Sequence, residues 1–228
     1  MNGGIRDTRP RGRGSRTSRV TGTGTPVGGF ERAVQVVRAH LHEVGQELGV
    51  GLDEVPAPGR VAPASWATAG EVHPRGGSSL DEPLATGRLV VLHDPLGQEG
   101  WDGDTRMVAF VRASVEDDIA RDPMIAEVAW AWLQESLELH GADPRALGGT
   151  VTVTTSRRFG LLASDGDPSR DPLTGSEVCE VEVRASWSLV GPCDDEALLA
   201  HLRGWCAAMS QLGGRPPSPP GVVAFPRL

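Results

Sequence analysis

The chain has 228 residues, 39% of them hydrophobic and 23% charged, which is long enough and apolar enough to build a real core. Its formal net charge of −8 disfavours nucleic acid as the main partner, because neutralising phosphates needs clustered cations. All 22 basic residues are arginine, and neither lysine nor tyrosine occurs. Arginine stays protonated at any accessible pH, so a Schiff-base lysine, a pyridoxal-phosphate enzyme, a Walker A lysine and the phosphate-pairing lysine of kinases are all excluded.

Cys179, Cys193 and Cys206 form no CxxC pair and are odd in number, which fits neither a zinc site nor a secreted disulfide framework. No apolar run is long enough to cross a membrane. The basic start leads into Thr21-Gly22-Thr23-Gly24-Thr25-Pro26 where a signal peptide would place an apolar stretch. A cytoplasmic location and no membrane contact are the expectations.

In chain order, residues 1–29 hold six arginines and one acid, Asp7, with almost nothing to bury; they read as a disordered tail. Phe30, Val34, Val37, Leu41, Val44 and Leu48 then mark one face of a helix, stopped by Gly49 and Gly51. Residues 52–63 read as a proline-bearing connector and 65–72 as a weak strand. Two strands at 88–93 and 105–113 form a hairpin with a long tip. A helix from Asp122 as N-cap and Pro123 as first residue runs to His140. Thr150 to Thr155 alternate as a strand. In the next strand Cys179, Val181, Val183, Ala185 and Trp187 face inward, and Glu180, Glu182, Arg184 and Ser186 face water. Asp194 caps a last helix with Leu198, Leu202, Trp205, Met209 and Leu212 as its stripe. Residues 215–228 are proline-rich and read as extended.

This pattern predicts an α+β fold of two layers: an antiparallel sheet of about five strands covered by amphipathic helices on one face. A single domain spans residues 30–214, in the order α-β-β-β-α-β-β-α. That order resembles the architecture of type III secretion chaperones, which are homodimeric protein-binding modules. Trp130 and Trp132 point about 200° apart on a helix, so the helix has more apolar face than one layer uses, and self-association is expected.

Most motif-like patterns fail on inspection. Gly22, Gly24 and Gly28 lack the buried strand that a dinucleotide loop requires. Asp165, Asp167, Ser169 and Asp171 copy EF-hand spacing, but Arg170 stands where glycine is needed and Ser176 where the bidentate acid is needed. His40 and His42 point to different sides of a helix and cannot share a metal. The three cysteines read as inert thiols. No cofactor, metal ion or catalytic residue is implied. One cluster remains, at the hairpin tip: His93, Asp94, Glu99, Trp101, Asp102 and Asp104. It reads as a binding site for a protein partner, with Trp101 as anchor and the acids as rim. Two alternatives stay open. These carboxylates could serve a hydrolase or isomerase, or the Arg6–Arg19 tail could make this an RNA-associated accessory protein.

Several separated segments also carry a resemblance. They are Ala85-Thr86-Gly87-Arg88-Leu89-Val90-Val91-Leu92-His93-Asp94-Pro95 through Trp101, then Trp130-Ala131-Trp132-Leu133, Val183-Arg184-Ala185-Ser186-Trp187 and Pro220-Gly221-Val222-Val223-Ala224-Phe225-Pro226. Together they resemble the actinobacterial domain-of-unknown-function family numbered three thousand. The likeness covers residues 30 to 227 and leaves out the arginine tail. It implies no activity and assigns no functional residues.

Overall fold

In the computed structural model the described residues are 26–76, 82–159, 162 and 176–215. The arginine tail, the Asp165–Asp171 pattern and the proline-rich C-terminus lie outside them. The elements are α1 (Val27–Leu48), β1 (Gly51–Glu54), β2 (Ala64–Val72), β3 (Ala85–His93), β4 (Thr105–Val115), α2 (Asp117–Ala120), α3 (Ile125–Leu139), β5 (Pro144–Arg158), β6 (Ser176–Leu189) and α4 (Asp195–Leu212). The fold is α+β, with one open antiparallel sheet in the order β1-β2-β3-β4-β6-β5.

Alternation decides which face of each strand is dry. On β6, Cys179, Val181, Val183, Ala185 and Trp187 are buried while Arg184 is exposed, and β3 and β4 follow the same rule. The helices cover that inner face: α1 lies toward β1 and β2, α3 toward β5 and β6, and α4 runs between them across β2, β3 and β4. The expected stripe of α4 is buried throughout, from Leu198 to Leu212. The Asp194 carboxylate accepts from the Ala197 N–H at 2.9 Å, as an N-cap should.

The close seat of α4 has a cause in the strands beneath it. Gly70 and Gly87 sit opposite each other on β2 and β3. A Cβ on Gly87 would lie 2.8 Å from both the Trp205 ring and the Met209 sulfur. The two glycines thus form the slot that takes the bulkiest side chains of α4. Gly204 does the same against α3, since a Cβ there would come within 2.8 Å of the Leu137 backbone.

Several expectations need correction. The sheet has six strands, because Gly51–Glu54 pairs with β2 inside what looked like a connector. Four residues with two acids and prolines to follow give no alternation to detect. α1 begins at Val27, so residues 27–29 belong to the domain and not to the tail. α3 begins at Ile125, not at Pro123; Asp122 instead accepts from the Met124 N–H at 2.8 Å, closing a turn ahead of the helix. β5 runs well past residues 150–155 in both directions. Trp130 and Trp132 both pack against the core of the one chain, Trp130 over Gly149 of β5, so one chain makes use of both sides of α3.

Arg215 ties the end of the described chain to its beginning. Its guanidinium donates to the carbonyl of Gly49, the left-handed cap of α1, at 3.1 Å, and to the carbonyl of His73.

Candidate functional site

The hairpin tip between β3 and β4 is a folded loop whose polar groups are mostly spent on its own turns. It closes on the Asp94 N–H donating to the Asp104 carbonyl at 2.8 Å. One Asp94 carboxylate oxygen accepts from the Leu96 N–H at 3.0 Å and the other from the Gln98 amide at 3.2 Å. Asp102 has a left-handed backbone, with φ of 55°, and faces Arg145 at 3.8 Å. Glu99 is exposed, and Trp101 is half-buried. The Trp101 carbonyl accepts from the Ser188 hydroxyl, which bends the tip down onto the end of β6. Leu96, which the sequence did not single out, is 96% exposed and is the barest apolar side chain of the tip.

His93 leaves this surface for the interior, while Asp104 is half-buried at its edge. His93 is fully buried, its ring stacked on Phe30 at 4.9 Å. The Thr105 hydroxyl donates to Asp104 at 2.9 Å, so the contact of His93 Nδ1 with the same hydroxyl at 2.8 Å has the imidazole N–H as donor. Cys193 reaches the same threonine from the turn before α4, and burial pushes its thiol up to about 12. A cysteine, a histidine and an aspartate therefore meet around Thr105, yet the thiol stays protonated and Phe30 closes off the imidazole. The group reads as a buried polar network pinning α1, the hairpin and α4 together; it offers no nucleophile. Burial raises the Cys206 thiol as well.

The sheet itself offers more than the tip. Its outer face has no helical layer among the described residues. Across the middle, Arg88, Phe110, Arg184 and Thr150 stand in one row on neighbouring strands, with the Arg184 guanidinium 5.7 Å from the centre of the Phe110 ring. The adjacent row is Val90, Val108, Ser186 and Gly148, and Val108 is 40% exposed. Gly148 brings no side chain to this face, and a hollow of about 310 Å³ opens between Val108, Phe110, Thr150 and Arg184. Arg106 links this hollow to the tip. It donates to the Ser186 hydroxyl at 2.7 Å and to the Ser188 hydroxyl at 3.3 Å, and Ser188 in turn holds Trp101. Alternation identified an outer face in the sequence, but the joining of β6 to both β4 and β5 was needed to assemble it.

One further cluster was not foreseen. Asp117, Glu177 and the Cys179 sulfur bring one ligand atom each within 4.8 Å of one another. Glu177 is already bound by Arg157 at 2.6 Å and Arg121 at 2.9 Å. The Arg157 hydrogen bond first, then one from Asp117, holds the Glu177 carboxyl below its ordinary range; the same contact with Glu177 raises Asp117. Two guanidinium groups balance the two acids, so the cluster needs no cation to be stable.

Residues 28–223 match the family described as protein of unknown function (DUF3000). The chain belongs to that family. No curated protein and no solved structure matches it, so the likeness to secretion chaperones rests on element order alone. Among the described residues of this DUF3000 protein, no helix is long and apolar enough to cross a membrane.

Proposed function

We propose that this DUF3000 protein is a non-catalytic binding module that holds a segment of a protein partner on the outer face of its sheet, with the hairpin tip as one end of the site. The observation that carries the reading is the continuity of the surface. Trp101, Ser188, Arg106 and Ser186 follow one another through hydrogen bonds to the hollow beside Phe110. An apolar floor left open at Gly148 and a ring of hydrogen-bonding side chains suit a peptide better than a small substrate. Trp101 serves as anchor, while Asp94, Glu99 and Asp102 form an acidic rim for a basic stretch of the partner.

A nucleic acid is the weaker occupant. Of the four arginines that β3, β4 and β6 place on this face, Arg184 is paired with Glu182 at 2.8 Å and Arg112 with Glu180 at 3.3 Å. Half the positive charge is thereby cancelled in the plane of the sheet, which leaves little for phosphate.

The test is affinity capture with purified wild-type protein, Trp101→Ala and Phe110→Glu, with captured proteins identified by mass spectrometry. Trp101 is half-buried, so its loss should cost less than the roughly 3–5 kcal/mol of a core tryptophan and leave the fold intact by circular dichroism. The expected result is one set of partners held by the wild type and lost in both variants, with added salt weakening what remains. Equal capture by all three proteins overturns the proposal, as does retention of RNA in place of protein.

A further inference from the structure

We infer that β5 is a self-pairing edge, through which two copies of this chain join antiparallel into one continuous twelve-stranded sheet. The two edges of the sheet are built in opposite ways. β1 is four residues long, carries Asp53 and Glu54, and is followed by Pro56 and Pro58. Short length, charge and proline are the usual means by which a protein blunts an edge. β5 is 15 residues long, with β6 on one side and no described strand on the other. At the strand rise of about 3.4 Å per residue that is about 50 Å of backbone, offering a row of N–H and C=O groups. From Gly148 to Ser156 it contains no charge and no proline, and its bulge lies outside that stretch, between Arg145 and Gly148. Thr150, Thr152, Thr154, Thr155 and Ser156 are all exposed.

The sequence of the strand selects a second copy as the occupant. Thr150-Val151-Thr152-Val153-Thr154 reads the same in both directions. A two-fold axis through Thr152 therefore places Thr152 against itself, Val151 against Val153, and Thr150 against Thr154. Directly opposed residues share a face of the sheet, so valines meet valines under the helices and threonines meet threonines outside. The same register sets Gly148 against Ser156, so the pairing spans the uncharged stretch and ends where the bulge begins. With the axis perpendicular to the sheet, both helical layers lie on one side, and the two outer faces join into a single broader one. Threonine and valine are strand formers whose cross-strand pairs add to the backbone bonds.

The experiment is sedimentation velocity on the full chain, paired with cysteine cross-linking; the three native cysteines are buried. The wild type should sediment as a dimer. Thr152→Lys and Thr152→Glu should each sediment as monomers, because each sets a charge against its own copy, and an equimolar mixture of the two should recover the dimer. Under mild oxidation Thr152→Cys should form a disulfide-linked dimer and Thr150→Cys should not, since Thr150 is offset from its own copy by four residues. A wild-type monomer at high concentration overturns the inference, as does a dimer that persists in Thr152→Lys. So does equal cross-linking at positions 150 and 152. Partner capture through Trp101 and Phe110 is read separately, so failure of the dimer leaves the binding proposal standing.

Discussion

Burial holds the His201 imidazole down to about 4, with Asp143 opposing weakly, and its Nδ1 accepts from the Trp187 indole N–H at 3.1 Å. A free histidine takes up its proton near 6.5. Between those two values the unfolded chain binds more protons than the folded one, so stability falls as pH falls, by on the order of 3 kcal/mol across the window. His201→Gln keeps an acceptor for Trp187 and removes the proton. Its stability in urea, measured at intervals from pH 7 to pH 4, should fall less steeply than that of the wild type. Glu54, held down first by its hydrogen bond from Arg38, keeps its contribution until the pH falls below the ordinary carboxylate range, so it does not mask the comparison. Parallel slopes for the two proteins would mean that His201 does not titrate in this window. Burial also marks the cysteines: Cys206 has no exposed surface, and burial raises its thiol above the ordinary range.

At the scale of the element, β6 was the most legible part of the sequence, because one of its faces is dry and the other wet. Val181 is fully buried and Glu182 is half-buried beside Arg184. Val181→Asp should cost about 4 kcal/mol or more, since the carboxylate would have neither water nor a partner. Glu182→Lys should change stability by about 1 kcal/mol or less, as it loses only a partly solvated pair. Denaturant midpoints for the two variants check this, and similar losses would mean that the strand faces the other way. β1 escaped notice for the opposite reason: it has no alternation to read and owes its pairing to β2. Trp130 and Trp132 lie on different sides of α3, yet each is partly buried against the core of the one chain, and Gly149 gives Trp130 room over β5.

For the whole molecule, α4 packs on the sheet between α1 and α3 and touches both. A fault in its seat should therefore be felt everywhere at once. Gly87→Ala puts a methyl group 2.8 Å from the Trp205 ring and 2.9 Å from the Phe110 carbonyl on the neighbouring strand. Backbone cannot yield as a flexible side chain does, so a loss of about 2 kcal/mol is expected. Tryptophan fluorescence and far-ultraviolet circular dichroism should report the same shifted transition, as a single cooperative core requires. Separate transitions by the two probes would show that α4 unfolds on its own.

The sequence by itself determined what local physics controls. Periodicity marked α1, α4, the 88–113 hairpin and the facing of β6, since burial on one side leaves a repeat in the residues. Composition ruled out the chemistries that need a lysine. Tertiary structure decided what depends on residues far apart in the chain. It set β6 between β4 and β5, so that Arg184, Phe110 and Arg88 form one row and β5 becomes the outer edge. It also divided the six residues of the hairpin tip: Asp94, Glu99, Trp101 and Asp102 stay at the surface, while His93 turns inward onto Phe30 and Asp104 binds Thr105. No spacing rule could have divided them. Which way a loop residue points is settled by what packs beneath it, and Phe30 and Cys193 reach that place from opposite ends of the chain.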